Sequence, residues 1–318
     1  MKHLIRTSDF TKEEIFKIFD DAREFKATKF SRILEGKIIV TLFFENSTRT
    51  RSSFEIAAKR LGAEVVNLDV GTSSQKKGET MYDTVSNINA MNPDAIIIRH
   101  SVHGLPESLI GYVDCPIINA GDGRHSHPTQ ALLDLFTINE YFDGKTEGKK
   151  IAIVGDVKNS RVAGSNRRLL PRFGIDVNLV APDCFKYEGD EFKQFNTIQE
   201  VIDDMDIVMS LRSQLERHNI TYFESLQEYA KDFCITSELM ERKEFLLLHP
   251  GPVNRNIDIT DEVLKHPRCK VLEQVTNGVA IRAAILKKLI LEDKQTFINL
   301  KDNLNEFGSS KEPFLFLI

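Results

Sequence analysis

A dense group of hydroxyl and guanidinium side chains occupies residues 47–51, whose sequence is Ser-Thr-Arg-Thr-Arg. The preceding run, residues 37–44, is nearly all apolar and predicts a buried strand, while Phe54, Ala57 and Leu61 follow at helical spacing. Strand, polar turn and helix start form a natural anion site, because the first N–H groups of a helix are unpaired and its dipole favours negative charge. One Ser-Thr-Arg triplet alone is better explained as a helix cap with a surface arginine. Three hydroxyls and two arginines together favour phosphate binding, and the pattern of a P-loop is absent.

Two further groups of cations stand where they can join this site. Arg99 and His100 follow residues 95–98, a short apolar segment that predicts another strand. Ligands of open α/β sheets bind beyond the carboxyl ends of the strands, so Arg49 and Arg99 are expected to share a crevice. The polar loop at residues 71–78 carries two lysines. It is either a solvated flexible loop or a mobile cationic loop that closes over a phosphate.

His127 and Gln130 lie at the start of a helix predicted over residues 129–141. They are candidate electrophilic groups, because both side chains can donate a hydrogen bond to a carbonyl oxygen. A metal site with His125 is the second interpretation, but no third ligand follows at an informative spacing. Helix capping is the third interpretation, although Ser126 can do that without His127.

The second half of the chain repeats the arrangement of strand and polar turn. Apolar segments at residues 151–155, 207–210 and 245–248 predict strands. The candidate ligand-binding residues in the turns after them are Arg161, Arg212, Gln214, Gly251 and Pro252. The dinucleotide pattern G-x-G-x-x-G is missing, and the turn with two prolines has a purely structural alternative as a rigid turn.

The elements that must position these residues alternate between strand and helix, which is typical of βαβ units. A capping box from Thr11 to Glu14 predicts the first helix, and the last long helix is predicted from about Val279 to Leu291. We expect an α/β fold of two domains, each a parallel β-sheet flanked by helices, joined by the helix near residues 129–141. The chain ends in five apolar residues, which pack either on their own domain or on another subunit.

Length and composition are those of a globular protein of about two domains. The chain has 318 residues, of which 41% are apolar, and 42 Lys and Arg against 47 Asp and Glu give a net charge of −5. This balance argues against general binding to nucleic acid or to an anionic membrane. No apolar run reaches the roughly 18 residues of a membrane span, and the first residues lack the apolar core of a signal peptide. The four cysteines are far apart, which predicts reduced thiols in the cytoplasm.

Taken in order, these motifs resemble those of the carbamoyltransferase family. The matching stretches are Ser47 to Arg51, Lys77 to Thr80, Arg99 with His100, and His127 to Asp134. Each motif alone has modest specificity, but their order and spacing agree over nearly the whole chain. The second half resembles the members that act on aspartate rather than ornithine, since His249 to Pro252 reads His-Pro-Gly-Pro instead of His-Cys-Leu-Pro. Two arginines also suit a substrate with two carboxylates.

The resemblance implies a role for each matching residue. The phosphate of carbamoyl phosphate would be bound by Ser47, Thr48, Arg49, Thr50 and Arg99. Thr50, Arg99 and His127 would approach the carbamoyl oxygen, and Gln130 with the Gly251–Pro252 turn would contact the carbamoyl amide. Ser73 and Lys77 would come from a neighbouring subunit of a homotrimer. Aspartate would be bound by Arg161, Arg212 and Gln214, with Lys77 and the Gly251–Pro252 turn also reaching it. The expected catalytic set is Arg49, Thr50, Lys77, Arg99 and His127.

The implied reaction is attack of the α-amine of L-aspartate on carbamoyl phosphate, giving N-carbamoyl-L-aspartate and phosphate, in de novo pyrimidine biosynthesis. No cofactor or metal is expected. The implied domains are residues 1–134 for carbamoyl phosphate, residues 135–283 for aspartate and a tail at 307–318. A helix over about 284–306 is expected to pack back on the first domain. A regulatory chain or another enzyme of the pyrimidine pathway is left open as a further partner.

Overall fold

The computed structural model describes residues 1–28, 30–68, 79–213 and 225–292. In these ranges the helices are α1 (Lys12–Ala27), α2 (Thr48–Arg60), α3 (Met81–Asn89), α4 (Leu105–Ser108), α5 (Pro128–Tyr141), α6 (Arg161–Leu169), α7 (Leu226–Phe233), α8 (Ser237–Arg242) and α9 (Val271–Lys287). The strands are β1 (Ile38–Phe43), β2 (Glu64–Leu68), β3 (Ala95–His100), β4 (Ile117–Asp122), β5 (Lys150–Val154), β6 (Asp176–Val180), β7 (Lys193–Phe195), β8 (Ile207–Ser210) and β9 (Leu246–Leu248). The tail at 307–318 lies outside the described residues.

The first sheet is parallel and has the strand order β2-β1-β3-β4. Val40 of β1 pairs with Val66 on one side and with Ile96 of β3 on the other. The chain leaves β1 toward β2 and later returns to its opposite side as β3. The crevice between the ends of β1 and β3 is therefore a topological switch point, where open α/β sheets bind ligands.

The second sheet is also parallel and has the order β7-β6-β5-β8-β9. Ile153 of β5 pairs with Leu179 of β6 and with Met209 of β8. The chain runs from β5 outward to β7 and returns to the other side of β5 as β8. A second switch point thus lies between the ends of β5 and β8. The predicted fold class is confirmed by these two parallel sheets and their flanking helices.

Two helices connect the sheets. All of α5 from Pro128 to Asn139 is buried, which explains its weakly amphipathic sequence, because a helix covered on every side needs no polar face. This helix packs against α6 of the second half and against α9, and α9 also packs on α1 and α2. Phe19 and Phe136 meet in the shared core with ring centroids 5.1 Å apart.

Most predicted elements agree with the structure to within a few residues, and two differences matter for the site. Strand β3 continues through Arg99 and His100, so both residues are the last of the strand rather than the first of a loop. Helix α9 begins at Val271 instead of Val279 and passes into a π-helical turn, Lys288–Glu292. The sequence did not predict its first two turns, because Glu273, Gln274, Thr276 and Asn277 interrupt the apolar periodicity there, and Leu272 is 81% exposed. Residues 293–306 lie outside the described part of the chain.

None of the helices in the described ranges combines the length and apolar character that crossing a lipid bilayer requires.

Candidate active site

A cleft of about 600 Å³ lies where the two switch points face each other. Every described residue to which the resemblance assigns a role lines it. They are Ser47, Thr48, Arg49, Thr50, Arg99, His127, Gln130, Arg161, Arg212, Gly251 and Pro252. Arg51, in contrast, lies over the Phe43 ring and His100 against Phe44, and neither lines the cleft. Ser73, Lys77 and Gln214 fall outside the described residues. The residues brought together come from both halves of the chain, as the strand ends predict.

The anion-binding character of the cleft begins at helix α2. Ser47 is its N-cap residue but makes no capping hydrogen bond with its side chain, and Thr48 to Thr50 form the first turn. The hydroxyls and the unpaired N–H groups of this turn therefore point a partial positive charge into the cleft. Arg49 extends from the same turn to Gly251 on the opposite wall. A Cβ atom on that glycine would lie 3.1 Å from Arg49 Cζ.

Several guanidinium groups line the cleft, and their positive charges repel one another. Burial, with the charge of Arg212 as a second cause, lowers the pKa of Arg49 below the ordinary arginine value. Arg212 follows β8, and Arg161 starts α6 directly after the turn that follows β5. Like charges held this close raise each other's energy, so a bound dianion relieves their repulsion.

Glu45 is a side chain at the cleft that the sequence did not single out. Its Oε2 atom accepts a hydrogen bond from Arg161 Nη2 at 2.8 Å and lies 3.3 Å from Arg99 Nε. Arg161 Nη1 also donates to the carbonyl oxygen of Gly123 at 3.0 Å, and Arg99 Nη1 to that of Ala120 at 3.3 Å. One carboxylate after β1 thus orients an arginine from each half. Its sequence signal is the acidic residue directly before the Ser-Thr-Arg motif.

His127 is a buried imidazole at the start of α5, only 4% exposed. Its backbone N–H donates to Ser165 Oγ at 2.8 Å, while its Nδ1 atom makes no hydrogen bond within the described part of the chain. Burial, with Arg99, Arg161 and Arg282 as further causes, holds the pKa of His127 well below the usual value. The ring is therefore neutral at physiological pH, and a neutral imidazole can still donate one hydrogen bond to a developing oxyanion. The helix is not capped by its side chain, so the capping interpretation is wrong.

Gln130 presents its oxygen rather than its nitrogen for binding. Its Nε2 atom donates to Asp134 Oδ1 at 2.8 Å, one turn later on α5. Its interpretation as a donor to a carbonyl oxygen is therefore not supported. The acceptor Oε1 suits a ligand NH₂ group instead.

The turn after β9 is held by a buried carboxylate. Asp258 Oδ2 lies 3.1 Å from His249 Nε2, and Gly251 N donates to His249 Nδ1 at 2.8 Å. The other carboxylate oxygen of Asp258 accepts from the backbone N–H and the hydroxyl of Ser213 at 3.0 and 2.8 Å. Asp258 thereby ties the Gly251–Pro252 turn to the segment that carries Arg212. The peptide bond between Gly251 and Pro252 is cis.

Arg282 of α9 forms the floor of the cleft and was also missed from the sequence. It is 4% exposed, lies over the ring of Phe54 and donates to Ser53 Oγ at 2.9 Å. Burial lowers its pKa to about 10, so it remains charged at neutral pH. A charged residue among the apolar ones of α9, one turn after Gly278, is the signal that could have revealed it.

Known proteins match this chain over most of its length. A family model described as aspartate/ornithine carbamoyltransferase, carbamoyl-P binding domain, matches residues 2–140. The model of the Asp/Orn binding domain of that family matches residues 147–289. The aspartate carbamoyltransferase catalytic subunit of Aliarcobacter butzleri is 87% identical over 294 residues, which cover 92% of this chain and 100% of the relative.

Solved structures agree with these sequence matches. The catalytic subunit of M. jannaschii aspartate transcarbamoylase has 38% identity and a TM-score of 0.83, covering 92% of this chain and 99% of its own. Aspartate transcarbamoylase from Trypanosoma cruzi in complex with carbamoyl phosphate and aspartate has 30% identity and a TM-score of 0.80, covering 90% and 94%. The chain therefore belongs to the aspartate/ornithine carbamoyltransferase family, and within it to the aspartate carbamoyltransferases.

Proposed function

We propose that the chain transfers the carbamoyl group of carbamoyl phosphate to the α-amine of L-aspartate, giving N-carbamoyl-L-aspartate and phosphate. One observation carries the proposal. Arginines from two switch points, Arg49 and Arg99 on one side and Arg161 and Arg212 on the other, line a single cleft. This arrangement suits a phosphate and two carboxylates that must be held close together.

The phosphate subsite lies at the start of α2. Ser47, Thr48 and Thr50 supply hydroxyls and backbone N–H groups, and Arg49 and Arg99 supply the charge that neutralises the phosphate. These are donors that a helix N-terminus and guanidinium groups offer to a dianion. As the phosphate leaves, its growing negative charge is stabilised by the same groups.

The carbamoyl group lies next to the phosphate, between His127 and Gln130. The neutral amine of aspartate attacks the carbonyl carbon, a tetrahedral intermediate forms, and the carbonyl oxygen becomes an oxyanion. The intermediate collapses as the C–O bond to phosphate breaks, and the departing phosphate takes the proton from the amine nitrogen. Thr50, Arg99 and neutral His127 donate to that oxygen, while Gln130 Oε1 accepts from the carbamoyl NH₂. The protein supplies no covalent nucleophile; it orients two substrates and stabilises charge in the transition state.

Aspartate is bound on the opposite wall, where Arg161 and Arg212 each face one carboxylate. Gln214 and Lys77, outside the described residues, complete this subsite by resemblance, and the Gly251–Pro252 turn borders both substrates. Ornithine offers one carboxylate and a side-chain ammonium, which two arginines repel. Aspartate is therefore the preferred acceptor.

The assembly we propose is a homotrimer in which Ser73 and Lys77 of one subunit complete the cleft of its neighbour. We also propose that the reaction is a step of pyrimidine biosynthesis, which the family supports. We place the protein in the cytoplasm, which the cysteine usage supports. The division at residue 134 and the packing of residues 284–306 on the first domain stay predictions. A regulatory chain or another pyrimidine-pathway enzyme is a further candidate partner, which co-purification with the trimer tests.

A product assay with carbamoyl phosphate and a panel of amino acids tests the function. The expected result is carbamoyl transfer to aspartate without any added cofactor, and loss of that activity in Arg49→Ala. A matched control is Arg32→Ala, which removes an exposed arginine whose ion pair with Glu35 lies on the surface. Transfer to a different amino acid, or none from a folded protein, overturns the proposal.

A further inference from the structure

Asp134 is a buried carboxylate that the reaction scheme above does not use. It lies on α5, one helical turn after Gln130, and has no exposed surface. Helices α6 and α9 pack against α5 at this point. An ionised carboxylate in such a place needs donors on all sides, because burying it without partners is costly.

Three side-chain amides, from three helices, supply those donors. Asp134 Oδ1 accepts from Gln130 Nε2 and from Gln274 Nε2, both at 2.8 Å. Asp134 Oδ2 accepts from Asn166 Nδ2 at 2.9 Å. Each of these residues belongs to an element that carries part of the cleft: Gln130 to α5, Asn166 to α6 and Gln274 to α9.

The charge state of Asp134 decides which way these amides face. An ionised carboxylate only accepts hydrogen bonds, so each amide must turn its NH₂ group toward it. The amide oxygens then point away. For Gln274 the consequence is visible, since its Oε1 accepts the backbone N–H of His249 at 2.9 Å. For Gln130 the same constraint turns Oε1 away from Asp134, on a residue that lines the cleft.

The surroundings favour the ionised form at neutral pH. Burial raises the pKa of Asp134 to about 6, while the three amides and the charge of Arg282 oppose this rise. Gln130 of α5, Asn166 of α6, and Gln274 and Arg282 of α9 are the polar groups that act on this carboxylate, and Arg282 is the charged one among them. Above pH 7 the carboxylate is therefore mostly ionised, and below pH 5 it is mostly protonated.

We infer that Asp134 is a positioning residue that selects for an acyl phosphate bearing an NH₂ group, because it holds Gln130 with its oxygen toward the cleft. The inference rests on the proposed function and adds to it the group that discriminates a carbamoyl from an acetyl donor. A methyl group in place of NH₂ leaves the oxygen of Gln130 without a donor, and a buried acceptor without a partner costs binding energy. Asp134 touches no substrate; it acts through Gln130.

The test compares two stable ligands that differ in this one group. Phosphonoacetamide carries the NH₂, and 2-oxopropylphosphonate carries a methyl group in its place. Isothermal titration calorimetry at pH 8 gives the ratio of their dissociation constants. The wild-type protein should bind the amide about tenfold more tightly, as expected for one net hydrogen bond. In Asp134→Asn this ratio should fall to within about twofold of one, since the new amide no longer forces Gln130 to turn its oxygen outward.

A double-variant cycle separates positioning from general damage. Gln130→Ala should also abolish the preference, and adding Asp134→Asn to it should change the ratio no further. Asp206→Asn is the matched control, because Asp206 accepts the backbone N–H of Lys150 at 2.9 Å and lies outside the cleft. This control should keep the wild-type ratio.

A pH titration of the wild-type ratio keeps the test valid even if Asp134→Asn fails to fold. Protonation of Asp134 adds a donor, so the amide preference should decline as the pH falls from 8 to 5, and it should stay flat in Gln130→Ala. Both ligands carry the same phosphonate, so its own titration cancels in the ratio. An Asp134→Asn variant that keeps the tenfold ratio, or that weakens both ligands equally, overturns the inference. A wild-type protein that binds neither ligand contradicts the proposed function instead.

Discussion

At the scale of single residues, the site depends on side chains whose charge is set by burial rather than by their type. His127 is neutral because it is buried among Arg99, Arg161 and Arg282, while Asp134 keeps its charge through three amide donors. The sequence identified His127 as chemically important from its place at a helix start. It did not reveal that the ring would be held neutral, since all three arginines are far from His127 along the chain.

Replacing His127 by alanine removes a donor to the developing oxyanion. We expect kcat to fall by about a hundredfold or more, as for the loss of one oxyanion donor, with a smaller effect on phosphate affinity. His125→Ala is the matched control, because His125 stacks on His103 with ring centroids 3.9 Å apart and does not line the cleft. Full activity of His127→Ala in a carbamoylaspartate assay would remove the assigned role.

Nitrogen-15 NMR should show the His127 ring neutral at pH 6, because burial and the nearby arginines lower its pKa. A protonated ring at that pH would contradict this account of its pKa.

At the scale of elements, the cleft is assembled from the ends of parallel strands and from turns that fit the arginines closely. The turn after β9 is the clearest case. Gly251 has φ +67°, and a Cβ added to it would lie against the Arg49 guanidinium. Any side chain at this position therefore competes with Arg49 for the same space.

Gly251→Ala should weaken binding of inorganic phosphate by about tenfold, because the added Cβ would sit 3.1 Å from Arg49 Cζ and displace a charge-assisted donor. Gly36→Ala is the control, since Gly36 has a similar φ of +75° and open space around its α-carbon. Both variants should lose roughly 1–2 kcal/mol of unfolding free energy from the left-handed backbone. Calorimetric titration with phosphate distinguishes them. Equal affinities in the two variants would show that Gly251 does not shape the arginine site.

The sequence predicted the elements and the strand-end residues well, because both leave local patterns. Strand β1 was visible as an uninterrupted apolar run, and the motif after it was visible as clustered hydroxyls and arginines. Arg282 and Asp134 left weaker signals, since a single charged residue in a helix ordinarily faces solvent. Their roles depend on Ser53, Phe54, Asn166 and Gln274, which only the folded chain brings to them.

At the scale of the whole molecule, an acidic chain places a cluster of positive charge in one cleft. The net charge is −5, yet Arg49, Arg99, Arg161, Arg212 and Arg282 all line the same cleft. A protein of this kind attracts small anions to its site without binding polyanions over its surface. The cleft as proposed is completed by Ser73 and Lys77 of a neighbouring subunit.

Sites shared between subunits predict complementation. An Arg49→Ala chain and a Lys77→Ala chain are each expected to be nearly inactive alone. Mixed trimers formed by subunit exchange should regain activity, because some clefts then receive an intact Arg49 from one chain and an intact Lys77 from another. Activity of the mixture is compared with that of each variant exchanged with itself. No recovery in trimers whose mixed composition has been verified by mass spectrometry would mean that each cleft is built from one chain.

The central claim is that one cleft holds a carbamoyl donor and a dicarboxylate acceptor. It is tested most directly by competition: the wild-type protein receives carbon-13-labelled carbamoyl phosphate with L-aspartate and L-ornithine at equal concentrations, and NMR counts the two products. N-carbamoyl-L-aspartate should exceed the ornithine product by on the order of a thousandfold, since two arginines attract one acceptor and repel the side-chain ammonium of the other. Comparable amounts of both products, or an excess of the ornithine product, would contradict the assignment of Arg161 and Arg212 to the two carboxylates.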